Sequence, residues 1–140
     1  TPTEHEQAQY PGFEPQQLDQ QHVVFRGHLP DHLTPDQAQF EKLWSLHPAE
    51  YPEILMHGKL LKTPRWQQSY GHDYRYPGQS KAALPIPDLL IPYDWVRASI
   101  DVRLNGLLLN WYDGKLGHYI GTHRDISTGL IAGSPIVTIR

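Results

Sequence analysis

Apolar and polar positions along the 140-residue chain change period several times, and each change marks an element. Residues 1–21 carry six Gln and three Pro among few apolar side chains, which predicts a flexible lead-in. Val23-Val24-Phe25 predicts a short strand. Thr34-Pro35-Asp36-Gln37 predicts a helix start, with Thr34 as N-cap, Pro35 at the first helical position and Gln37 closing a capping box. Phe40, Leu43 and Trp44 follow at helical spacing, and Pro48 stops that helix. Residues 53–62 are extended around a turn near His57-Gly58, which predicts a hairpin. Residues 65–70 and 74–76 are aromatic, strand-favouring pieces punctuated by Gly71 and Pro77-Gly78. Residues 87–100 predict a second helix that Pro92 disturbs. Residues 107–112 are the clearest strand, and residues 136–139 open another. There is no internal repeat. Mixed helices and strands of this kind predict an α+β domain over residues 22–140.

Composition narrows what such a domain can do. No apolar run approaches the ~18 residues of a membrane-spanning helix, so no membrane partner is expected. The chain has no Cys, which excludes disulfides, zinc–thiolate sites, iron–sulfur clusters and thiol nucleophiles. Any metal must sit on His, Asp or Glu, and nine His are available. The net charge of −3 conceals an asymmetry. Residues 1–58 hold nine acids and two bases, whereas residues 59–140 hold six acids and ten bases. The second part suits an anionic ligand or nucleic acid and the first does not. The acidic, Gln-rich start reads as no secretory or transit signal, and lack of Cys suits any compartment, so the sequence leaves the location, cytoplasm or nucleus included, unassigned.

Two local patterns carry chemistry. In a strand over residues 107–112, Leu108, Asn110 and Tyr112 share one face, and Leu107, Leu109 and Trp111 share the other. Asn110 and Tyr112 together offer an amide and a phenol to a polar ligand. In His123-Arg124-Asp125, extended backbone points His123 and Asp125 the same way, so imidazole and carboxylate can take adjacent positions on one ion. That is two-thirds of a 2-His-1-carboxylate facial triad, whose open positions favour Fe(II) oxygenase chemistry. His118, upstream in the loop after the strand, reads as an exposed residue.

Ordered matches join these patterns. They are Asn110-Trp111-Tyr112, Ile120-Gly121-Thr122-His123-Arg124-Asp125 and Gly133-Ser134-Pro135-Ile136. Upstream stand Gly58-Lys59, Pro64-Arg65 with Gln67, Tyr70-Gly71 and Tyr76-Pro77-Gly78. Over residues 55–139 the chain resembles the AlkB family of Fe(II)- and 2-oxoglutarate-dependent dioxygenases, and within it the branch that repairs alkylated DNA. The resemblance implies a double-stranded β-helix (jelly roll) with N-terminal helices and a β-hairpin lid. It implies His123 and Asp125 as iron ligands and Asn110 and Tyr112 as contacts to the co-substrate 2-oxoglutarate. Arg65, Tyr70, Tyr74, Tyr76, His57 and Arg124 become candidates for substrate binding. The implied activity is oxidative demethylation of an alkylated nucleobase by a monomer, with nucleic acid as substrate and formaldehyde and succinate as products.

Departures from the family pattern keep other readings open. His57 stands where the duplex-DNA branch carries an aromatic wedge, and Ile126 and Ser127 stand where its repair members carry acids. A dioxygenase acting on RNA, protein or lipid, or a non-catalytic nucleic-acid-binding relative or fragment, therefore remains an alternative. The family's second iron His, its 2-oxoglutarate-binding Arg and its last strands are expected beyond Arg140. On that expectation residues 1–140 alone bind iron weakly and are inert.

Overall fold

The computed structural model describes residues 9–71, 83–123 and 131–140. The chain divides into two compact units, residues 1–34 and 35–140. In the first, β1 (Glu14–Gln17) pairs antiparallel with β2 (Val23–Arg26), Pro15 facing Phe25 and Gln17 facing Val23. Tyr10 packs edge-on against Phe25 at 4.8 Å. The connection is tied by Asp19, whose carboxylate accepts from the backbone N–H of Gln21 and of His22, both at 2.8 Å. The His22 ring lies 2.7 Å from the same carboxylate. The bond from Gln21 first, then that from the His22 ring, holds the Asp19 carboxyl below its ordinary pKa. β1 falls inside the stretch whose composition predicts a flexible lead-in. Apart from Pro15 its own residues are polar, and the larger apolar residues that give the ladder a face, Val23 and Phe25, come from the partner strand.

In the second unit, α1 (Gln37–Ser45) starts two residues later than its sequence signals suggest. Asp36, not Thr34, is the N-cap. Its carboxylate accepts from Gln39 N at 2.8 Å, and the Gln39 side chain accepts from Asp36 N at 2.9 Å. This reciprocal box satisfies two backbone donors that a Thr34 start would leave to other partners. β3 (Glu53–Met56) and β4 (Lys59–Lys62) form the expected hairpin, Met56 pairing Lys59 across a two-residue turn. Both turn residues, His57 (φ 50) and Gly58 (φ 74), have positive φ, as a type I′ turn demands.

β5 (Trp66–Tyr70) pairs antiparallel with β6 (Leu107–Trp111), and Leu84 adds a parallel bridge at Tyr70. Between these strands lies α2 (Ile91–Ser99). Pro92 does not disturb it, because it stands in the first turn, where a backbone N–H has no intrahelical acceptor. The core gathers on one face of β5–β6: Trp66, Tyr70 and Trp111 with Leu90, covered by Leu43, Trp44, Leu46, Tyr51 and Ile86. Trp111 Nε1 donates to the Leu43 carbonyl at 2.9 Å, which fixes the last turn of α1 over the sheet. Residues 136–139 form no strand among the described residues. Three two-stranded antiparallel sheets and two α-helices among the described residues make the fold α+β. No helix among them is long and apolar enough to cross a membrane.

Candidate functional site

The pairing of β5 with β6 sorts their side chains. Trp66 faces Trp111 and Tyr70 faces Leu107 on the core side; Gln67 faces Asn110 and Ser69 faces Leu108 on the other. The alternation expected for β6 therefore holds from Leu107 to Trp111, stops short of Tyr112, and gives β5 a polar row as well. Gln67 and Ser69 are buried, whereas Arg65 and Asn110 are half-buried. Buried polar side chains need partners, and for Gln67 this row supplies them. The Gln67 amide lies 2.7 Å from the Asn110 amide. With its oxygen turned to the surrounding donors, Gln67 accepts from Arg65 Nε at 3.1 Å and Nη2 at 3.2 Å.

Arg65 also reaches the loop that follows β6. Its Nη1 donates to the Tyr119 carbonyl at 3.4 Å, and Tyr119 N donates to the Pro64 carbonyl at 2.9 Å. The loop so pinned leads to His123, an exposed residue whose Nδ1 lies 2.9 Å from the Gly121 carbonyl. A carbonyl can only accept, so Nδ1 carries a proton. In its neutral form that ring is the tautomer a metal-ligating His adopts when its other nitrogen donates to backbone. Among the described residues no three His, Asp or Glu come together around a common point. Asp125, Arg124, Tyr74 and Tyr76 lie outside the described residues.

The other candidates fall in different places. Tyr70 is only 3% exposed and belongs to the core, on the face opposite Asn110. Its burial pushes the phenol pKa up, so it stays neutral. His57 is exposed at the hairpin tip. Tyr112, just past the end of β6, is 40% exposed. It lines an open groove with Phe40 and Trp44 of α1 and with Lys115. His118 is not the exposed loop residue expected. It is half-buried, standing edge-on to Trp66 at 4.7 Å and within 2.7 Å of the Tyr51 hydroxyl.

Gln67 and Ser69 are the residues that reading β6 alone misses. Their signal is the polar alternation Arg65, Gln67, Ser69 between Trp66, Gln68 and Tyr70, which becomes informative only once β5 is paired with β6. No protein-family model matches this chain, and a search of curated proteins finds no significant match.

Proposed function

We propose that this chain belongs to an Fe(II)- and 2-oxoglutarate-dependent dioxygenase that dealkylates nucleobases, on a jelly roll to which β5 and β6 contribute. The observation that supports this most is the bridge made by Arg65. Its guanidinium donates to Gln67, which abuts Asn110, and to the Tyr119 carbonyl, on the loop leading to His123. The polar strand face and the His123 loop thus belong to one hydrogen-bonded unit.

In this reading His123 offers Nε2 to the metal and Asp125 adds a carboxylate. Bound ferrous iron with 2-oxoglutarate supplies the oxidising chemistry. Asn110, held beside Gln67, orients the co-substrate through its amide, and Tyr112 adds a phenol donor. Arg65 fixes Gln67 and the loop in one geometry and borders the substrate. His57 at the hairpin tip, with Tyr74, Tyr76 and Arg124, meets the nucleic acid. Tyr70, neutral and buried on the opposite face, contributes packing beneath the site.

The test is succinate formation by the natural full-length protein with methylated single-stranded and duplex oligonucleotides. His123→Ala and Asp125→Ala are each expected to reduce turnover to background, and activity retained in either overturns the ligand assignment. The groove of Phe40, Trp44, Tyr112 and Lys115, lined also by the acids Glu41 and Asp113, favours a second reading, a non-catalytic nucleic-acid binder that stacks bases on the exposed rings of Phe40 and Tyr112. Oligonucleotide binding without succinate formation by the wild-type protein selects that reading instead.

A further inference from the structure

We propose that Tyr51 and His118 form a latch that positions the loop leading to His123, which makes His118 a positioning residue of the site; the inference rests on the dioxygenase reading above. The loop after β6 turns through the short 3-10 segment Gly114–Leu116 and a left-handed Gly117 (φ 70) before it reaches His118. A segment of that kind has conformational entropy to lose, and a metal ligand at its end must be held within ~0.5 Å of its working position. The structure supplies the restraint ahead of His123.

His118 is fixed at both nitrogens. Asp113 N donates to Nδ1 at 2.9 Å, which places the ring proton on Nε2. Nε2 then donates to the Tyr51 hydroxyl at 2.7 Å. The pair is 67 residues apart in sequence, so the contact is tertiary and not a local turn preference. The aromatic rings are fixed as well. Tyr51 lies parallel to Trp66, with ring centroids 5.6 Å apart and planes at 7°, and His118 meets Tyr51 edge-on at 5.3 Å. Trp66 belongs to β5 and is itself buried in the core. The next residue continues the restraint: Tyr119 N donates to Pro64 O and Tyr119 O accepts from Arg65. The latch thus brings the segment between α1 and β3, which holds Tyr51, to bear on the same loop that Arg65 ties to the polar strand face.

Tyr51→Phe removes one oxygen and leaves the ring stack in place; His118→Phe keeps the edge-on ring and removes both nitrogens. In either variant, hydrogen exchange at the Tyr119 amide is expected to quicken ~5-fold, the loss of one ordinary hydrogen bond, while amides of the β5–β6 ladder keep their protection. In the full-length protein, the ferrous concentration needed for half of the visible iron–2-oxoglutarate absorption is expected to rise ~10-fold, the low end for residues that orient a metal ligand. Unchanged exchange at Tyr119 overturns the latch. Faster exchange with an unmoved iron titration reduces it to packing and overturns the positioning role. Absence of the absorption in the wild-type protein overturns the dioxygenase reading, and the positioning role with it.

Discussion

At the scale of single residues, a densely hydrogen-bonded charge pair follows α2. Asp101 receives Arg103 Nε at 3.0 Å and Nη2 at 2.7 Å, together with the Arg103 backbone N–H at 2.9 Å. The same guanidinium donates onward to the carbonyls of Ala132 at 3.3 Å and Gly133 at 3.0 Å. It thereby holds the turn of Ile131 to Ser134, in which Ser134 N donates to Ile131 O at 3.0 Å. The Arg103 side chain first, and its backbone N–H second, lower the Asp101 pKa from 3.8 to about 2. A carboxylate whose pKa is depressed in the folded state contributes stability above its unfolded value and loses it as pH falls through the folded one. The clamp is therefore complete above pH 3.8 and releases as pH falls through about 2. Amide exchange or chemical shifts of Gly133 and Ser134, followed on acidification, should move in that window. In Arg103→Lys the change should shift upward towards the ordinary carboxylate range, because an ammonium cannot offer two donors to the carboxylate while reaching both carbonyls. An identical titration in the variant would show that the turn does not depend on the fork.

At the scale of elements, two glycines at positive φ separate backbone cost from crowding. Gly58 (φ +74) completes the β3–β4 turn, and a Cβ there would meet nothing within 4 Å. Gly71 (φ +81) follows β5, and a Cβ there would stand 2.9 Å from Asn105 O and 2.9 Å from the Ile86 Cδ1 atom. Gly58→Ala is therefore expected to cost ~1 kcal/mol, the left-handed penalty alone. Gly71→Ala should cost at least ~2 kcal/mol, because overpacking adds to that penalty. Urea unfolding of both variants, with unchanged m-values, checks the ranking, and equal losses would remove the crowding argument. The hairpin was legible in the sequence because its turn chemistry is local. The same locality explains the α1 result: Thr34 was expected as the cap, but the Gln39 side chain returns to Asp36 N and makes Asp36 the cap instead. β1 was not legible, since its stability resides in the register with β2.

At the scale of the whole chain, what could be read in advance was what alternation encodes, and what could not was what pairing creates. Asn110 was legible as a polar position of β6; Tyr112 was expected beside it but falls just past the end of the strand and lines the groove beside α1, and Gln67 gained its meaning only when the ladder set it opposite Asn110. His118 read as exposed because nothing near it in sequence announces Tyr51. Charge is the one whole-chain property visible from the start, and it bears on the partner. Residues 59–140 hold ten bases against six acids. Two of the bases, Lys59 and Lys62, lie on the exposed strand β4, beside exposed Leu60 and Leu61. If this strand meets a nucleic-acid backbone, each lysine that neutralises a phosphate releases counterion, and affinity falls with salt in proportion to their number. For single strands, about four such contacts give a slope of log K against log salt of roughly −3, and each lysine removed should lessen it by ~0.7. Fluorescence anisotropy with a methylated single-stranded oligonucleotide between 50 and 200 mM salt measures that slope for the wild type, Lys59→Ala and Lys62→Ala. A slope unchanged in both variants would take β4 out of the interface and leave the basic character of the chain's second part to be carried by other surfaces.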